Sequence, residues 1–204
     1  ITKLYSSLGY NSVGVETKVR KIDDGNVDII FEIDKGELTK ISKISFTGDK
    51  KFREKRLRDI VASEEDKFWK VISNNSKFNE GQISLDKRLL VNYYKNLGYY
   101  DVEVSSTSAE ILDSSNVNLY YSINAGNRFT FEKIETIVDS TFDKKIFYPL
   151  NRSYQKIIGE YYSPLKIKRI LDEIDELIER NNLQFVEHDV KQTIEGDKIK
   201  LAFN

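Results

Sequence analysis

The stretch Tyr-x-x-Leu-Gly-Tyr occurs twice, at Tyr5–Tyr10 and Tyr94–Tyr99, and the residues around each copy also agree. Internal repetition constrains a fold more than any single motif, because each repeat must be one structural unit. Val13 and Val15 follow the first copy, and Val102 and Val104 follow the second. A polar turn comes next, DDGN at 23–26 and DSSN at 113–116. Alternating apolar residues then follow, Val27, Ile29, Phe31 and Ile33 in one copy and Val117, Leu119, Tyr121 and Ile123 in the other. A period of two over four apolar positions predicts a half-buried strand. Each strand closes on a glycine turn, DKGE at 34–37 and NAGN at 124–127.

A third, fainter copy runs through LIERNNLQFVEHDVKQTIEGDKIKLAFN, with the turn EGDK and alternating Ile199, Leu201 and Phe203. Asn182 stands where the other copies have Gly9 and Gly98. A helix that stops and reverses into a strand needs a left-handed residue, and asparagine follows glycine in that preference.

The residues before each hairpin complete the unit. KISKISFTG (40–48) predicts a strand, and REKRLRDIVAS (53–63) a short helix showing Leu57, Ile60 and Val61. Asn79 and Gln82 have the spacing of a capping box for a helix reaching about Leu97, with a stripe of Ile83, Leu90, Tyr93, Tyr94 and Leu97. Ser163 as cap and Pro164 at the first helical position open the corresponding helix of the last unit, which shows Ile167, Leu171, Ile174 and Ile178. The unit is β-α-α-β-β and the class α+β, a three-stranded sheet covered on one face by two helices. Boundaries fall near Glu37 and Asn127. Residues 1–37 are the last third of one unit, 38–127 a whole one, and 128–204 most of another. The junctions are short, which predicts stiff articulation.

Composition narrows the function. Cysteine is absent, which excludes disulfides and thiolate chemistry. The 32 basic and 33 acidic residues nearly cancel, which argues against a protein held mainly by nucleic-acid phosphates. No stretch reaches the apolar length of a membrane helix and no signal peptide opens the chain. Methionine is absent even at position 1 and the first residues read as the tail of a helix, so the chain reads as a piece of something larger. His188 is the single histidine and alternates with Glu187 and Asp189, which predicts a half-buried sheet residue. No phosphate-binding loop or nucleophile motif is present, and carboxylate runs such as DEIDELIER predict a solvated helix face. The expectation is a protein without catalysis, cofactor or metal. DKKFREKRLRD (49–59) holds six basic residues, but SEEDKFWK lacks the G-x-x-G loop of a KH module. An RNA-binding α+β module remains the alternative from another class.

LGYYDVEV, VNLYYSINAGNRF and GELTKISKISFTGDKKF, repeated in register, resemble POTRA domains, in the tandem arrangement carried by outer-membrane β-barrel assembly proteins of the BamA family. DKFWKVISNNSKF is similar to the third POTRA domain of that family and GEYYSPLKI to the fourth, so the chain resembles the end of the second, all of the third and most of the fourth. Asp139, in place of a glycine after the last unit's first strand, departs from the pattern. The resemblance implies the periplasmic portion of an outer-membrane protein with a C-terminal membrane β-barrel. It also implies unfolded outer-membrane proteins as clients and lipoprotein partners such as BamB, the latter near Ser63, Glu64, Glu65, Leu119 and Tyr121. The POTRA arm of a two-partner secretion transporter is the alternative within the superfamily.

Two binding candidates come from the residues themselves. Phe68 and Trp69, in a polar connection, either plug the space beneath it or anchor a partner. The strand at 100–112 carries no Lys, Arg or Pro, the residues that blunt an exposed sheet edge. Its equivalent in the first unit carries Lys18, Arg20 and Lys21. Val102, Glu103, Val104, Ser105, Ser106, Thr107 and Ser108 are therefore the candidate acceptor for an extended client strand.

Overall fold

A computed structural model describes residues 1–22, 26–67, 74–113, 115–183 and 186–204. It divides into two compact units, Ile1–Leu90 with Val104–Asn124, and Val91–Glu103 with Ala125–Asn204.

The first unit opens with α1 (Thr2–Ser7) and an antiparallel hairpin of β1 (Gly14–Lys21) and β2 (Val27–Asp34), paired from Gly14↔Asp34 to Lys21↔Val27. It continues through β3 (Lys40–Asp49), α2 (Glu54–Arg58), α3 (Glu80–Lys95) as far as Leu90, β4 (Glu103–Ile111) from Val104 and β5 (Asn116–Asn124). The strand order is β3-β5-β4, with β3 parallel to β5. Alternation along β5 buries Val117, Leu119, Tyr121 and Ile123 and leaves the intervening residues part-exposed. Ile41, Ile44 and Phe46 from β3 and Leu57 from α2 complete this face, and the Phe46 and Tyr121 rings stack at 5.6 Å. Fully burying one such side chain contributes roughly 1.5–3 kcal/mol. The N-cap half of the expected capping box forms at α3, where Asn79 Oδ1 accepts the Gln82 N–H at 2.8 Å, while the Gln82 side chain bonds Asn79 Nδ2, Ala62 O and Asn75 O.

The second unit holds β6 (Thr130–Thr136), α4 (Leu150–Ile157), α5 (Pro164–Arg180), β7 (Val190–Glu195) and β8 (Lys198–Phe203). Its order β6-β8-β7 repeats the first sheet, with β8 parallel to β6 and antiparallel to β7. Phe131, Leu150, Tyr154, Ile170, Ile174, Ile199, Leu201 and Phe203 form its core. The chain is thus an α+β protein of repeated mixed sheets, each covered on one face by helices.

Pairing also corrects the sequence register. Gly48 lies two residues beyond the Phe46↔Tyr121 pair, and Thr136 pairs Phe203, so the residue equivalent to Gly48 is Val138, not Asp139. A Cβ on Gly48 would meet the Ile123 carbonyl at 2.4 Å. Glycine lets β3 stay paired as far as Asp49, whereas β6 pairs only to Thr136.

The hairpin of β1 and β2 departs from expectation in burial. Val27, Ile29, Phe31 and Ile33, which read as an inward face, are 52%, 57%, 51% and 40% exposed. Leu119, Tyr121 and Leu201, in the same alternation, are buried.

Candidate functional site: the free edge of the first three-stranded sheet

A three-stranded sheet has two outer edges, and here they differ. The edge of β3 is occupied from Thr39 to Phe46. Thr39 O accepts the Phe78 N–H at 2.9 Å and Ile41 O accepts the Asp66 N–H at 2.7 Å. The Ile44 N–H donates to Glu65 Oε1 at 3.1 Å, and Arg58 Nε donates to Ile44 O at 3.4 Å. Lys50 Nζ donates to Phe46 O at 2.8 Å. Irregular backbone, a carboxylate and two cations therefore fill the positions a further strand would need. The second sheet treats β6 likewise, with Phe131 bonded to Glu160 O and Gly159 N–H, and Phe129 O to Tyr162 N–H.

On the opposite side, among the described residues, β4 has β5 as its sheet neighbour and no second strand. Unpaired backbone donors and acceptors on such an edge form a template for another strand. Val102 and Val104 are buried, at 5% and 9% exposure, and tie the start of β4 to the core. Glu103 is exposed, and the side chains of Ser105 to Ser108 lie outside the described residues. At the far end of β4, Ile111 and Leu112 are 76% and 51% exposed, an apolar pair beside the edge that the sequence analysis did not single out. Glu110 accepts from Tyr120 Oη at 2.8 Å and Asn118 Nδ2 at 3.3 Å. The Tyr120 bond first, then Asn118, holds the Glu110 carboxyl below the usual range, so it stays charged and fixes the solvent face of β4 against β5.

The contrast with β1 is smaller than the residues suggested. Lys18 and Arg20 reach across to Glu32 and Asp28 on β2, both at 2.7 Å.

The predicted lipoprotein contacts do not share one surface. Leu119 and Tyr121 are fully buried, so neither side chain can meet a docking protein. Successive strand side chains face opposite ways, and the outward residues of β5 are Asn118, Tyr120 and Ser122. Ser63 is buried, while Glu64 and Glu65 are part-exposed, Glu65 being committed to Ile44. Phe68 and Trp69 lie outside the described residues. His188 precedes β7, is 24% exposed, and bonds Asp175 Oδ1 through Nε2 at 2.7 Å.

A buried group that the sequence hid sits behind the site. Asp86, on α3, is fully buried and accepts the Ala62 and Ser63 N–H groups at 2.6 and 3.1 Å and the Tyr121 phenol at 2.5 Å. It joins α3, β5 and the chain leaving α2. Burial, then the Asp86 charge, pushes the Tyr121 phenol far above its ordinary value, so it remains a donor. Among the described residues, no three His, Asp or Glu side chains converge as metal ligands, and no helix is long and apolar enough to cross a membrane.

Residues 39–126 match the POTRA family model, described as surface antigen variable number repeat. Over 171 residues the chain is 25% identical to the outer membrane protein assembly factor BamA of Neisseria meningitidis serogroup B, a match covering 83% of this chain and 21% of that protein. The chain thus spans about a fifth of the length of this curated relative. Among solved structures, the POTRA3–5 segment of Haemophilus influenzae BamA superposes with a TM-score of 0.56 at 14% identity, covering 98% of this chain and 75% of that one. Haemophilus ducreyi BamA lacking POTRA domains 1–3 gives 0.54 at 15% identity, over 80% and 28%. At these identities the superpositions establish the fold.

Proposed function

Because residues 39–126 match the POTRA family model, we propose that this chain is a non-catalytic periplasmic scaffold of an outer-membrane assembly factor of the BamA kind. It receives unfolded β-barrel proteins on the β4 edge and hands them to a membrane β-barrel of the same full-length protein. The observation that carries this reading is the asymmetry of the first sheet, with β3 sealed from Thr39 to Phe46 and β4 left with a single neighbour. Strand addition at β4 uses main-chain hydrogen bonds that every extended segment can make. Low sequence selectivity suits a scaffold that handles many different barrel strands.

Three POTRA segments make up the chain: 1–37 as the end of one domain, 38–127 as a whole one and 128–204 as most of another, the second, third and fourth of their array. Equivalent alternation in β2, β5 and β8 supports this division. So does the apolar face of β2, which is exposed where its counterparts on β5 and β8 are buried. A lipoprotein of the BamB kind docks beside Glu64 and the outward face of β5, Asn118, Tyr120 and Ser122, in place of Leu119 and Tyr121.

The test is amide exchange on the 204-residue chain with and without an extended peptide taken from a barrel strand. The reading expects new protection across 102–108 and none along 40–46. Protection confined to other segments would move the client site off this edge.

A further inference from the structure

One hydrogen-bond pattern recurs at three helix ends. The Tyr10 N–H donates to Tyr5 O at 3.0 Å, Tyr99 to Tyr94 at 3.2 Å and Leu183 to Ile178 at 3.1 Å. The residue inside each turn has a positive φ, 95° at Gly9, 100° at Gly98 and 50° at Asn182. At the first two ends the turn does more than stop a helix. Gly9 O accepts the Thr39 N–H at 2.9 Å and Gly98 O accepts the Phe129 N–H at 2.8 Å, in each case from the residue that leads into the next repeat's first strand. A Cβ on Gly9 would lie 3.0 Å from Lys77 Cβ, and one on Gly98 3.0 Å from Tyr161 Cβ. Lys77 and Tyr161 form isolated bridges with Lys40 and Thr130, at the starts of those same strands. Glycine is therefore required twice over, for the backbone angle and for the close approach of the following repeat.

The Gly98 end makes further contacts with the following repeat. Ser163 occupies the N-cap position of α5, but its side chain makes no capping bond. Asn96 Oδ1 does so instead, accepting the Leu165 N–H at 3.2 Å and the Ser163 Oγ–H at 2.8 Å. The first turn of a helix leaves backbone donors without intrahelical partners, and here a residue of the preceding repeat satisfies one. The Arg128 guanidinium lies 4.0 Å from the Tyr161 ring centre and 5.2 Å from that of Tyr99, a cation held between two aromatic faces. The Tyr100 ring packs against Phe129 at 5.3 Å and Tyr162 at 4.9 Å. Consistent with these contacts, Val91–Glu103 belongs to the same compact unit as Ala125–Asn204.

We propose that Asn96–Tyr100 is a coupling site whose partner is the following repeat of the same chain. The contacts of the second unit therefore reach back to Val91, beyond the repeat boundary near Asn127. Asn96 is the latch, because it is the residue that completes the N-terminus of α5. This inference rests on contacts within the second unit and does not depend on strand addition at β4.

The experiment compares Asn96→Ala and Asn96→Asp in the 204-residue chain by residue-resolved amide exchange. Loss of an N-cap acceptor predicts about fivefold faster exchange at Leu165 to Ile167 in Asn96→Ala. Asn96→Asp keeps an acceptor oxygen at the same place and restores the original rate. Exchange at Ile44 and Leu119, in the first sheet, stays unchanged in both. Unchanged rates at Leu165 to Ile167 in Asn96→Ala would overturn the proposal, as would an equal acceleration across both sheets. If Asn96→Ala does not fold, Asn96→Leu, which keeps the bulk and removes the acceptor, supplies the same reading: acceleration confined to the α5 start supports the latch, and its absence there removes it.

Discussion

Asp86 shows what a single residue contributes and how a sequence conceals it. On α3 it falls in the same stripe as Leu90 and Tyr94, spaced by four, and all three are fully buried. A carboxylate on a charged helix ordinarily reads as solvent-facing, so the stripe of Leu90, Tyr93, Tyr94 and Leu97 was legible and Asp86 was not. Its acceptor role depends on Ala62, Ser63 and Tyr121, which are 23 to 35 positions away in sequence. Asp86→Ala leaves a phenol and two backbone donors buried without an acceptor, a loss on the order of 3 kcal/mol. Urea unfolding followed by circular dichroism should show a clearly lowered midpoint, with Asp86→Asn between the two; an unchanged midpoint would remove Asp86 from the framework. The phenols give a pH prediction. Burial raises Tyr121 and Tyr154, and burial followed by the neighbouring Tyr100 pushes Tyr162 up to about 12. Folded phenols then hold their protons more tightly than the same groups in the unfolded chain. Their contribution is complete below about pH 10 and declines as pH rises past that value. An alkaline titration should show late tyrosinate absorbance appearing together with loss of structure; smooth ionisation of every tyrosine while the fold persists would contradict this.

At the scale of elements, the turns and strand faces were readable because local chemistry fixes them. The left-handed requirement at Gly9, Gly98 and Asn182 and the period-two alternation of β5 are properties of short segments. The docking residues failed on parity: Leu119 and Tyr121 were already on the apolar side of β5, and that side is covered. Sealing of β3 was beyond reach, since it uses Glu65, Arg58 and Lys50, none of which carries a local signal. Gly98→Val places a β-branched residue at φ 100° against Tyr161, and should cost roughly 1–2 kcal/mol or more. A thermal melt of the 204-residue chain checks it, and an unaltered transition would mean that Gly98 is dispensable. For β4 the informative pair is Ser105→Pro and Ser106→Pro. Adjacent strand N–H groups point to opposite sides, so one substitution strikes the β5 ladder and the other the free edge. One variant should lose stability and the other should lose peptide binding while keeping its melting temperature. Full peptide binding by both folded variants would argue against strand addition here.

For the molecule as a whole, the repeat announced the fold, while the packing units are offset from the repeats read in the sequence. Val91–Glu103 belongs by sequence to one repeat and by contact to the next, a distinction that requires the non-local bonds of Asn96 and Gly98. Near-neutrality, at a net charge of −1, predicts weak association with single-stranded RNA even at low salt; tight binding that falls steeply with added salt would favour the nucleic-acid alternative. Absence of cysteine makes the central claim directly testable, because any thiol introduced is unique. Single cysteines at exposed positions on three strands, Ala109→Cys on β4, Thr47→Cys on β3 and Gln192→Cys on β7, can be offered an extended barrel-strand peptide carrying one cysteine. A disulfide requires the two Cα atoms to come within about 7 Å, so cross-linking reports strand adjacency and not mere proximity. The account predicts rapid cross-linking at Ala109→Cys, dependent on the cysteine position along the peptide, and little at Thr47→Cys. Equal or greater cross-linking at β3 or β7, with none at β4, would contradict it.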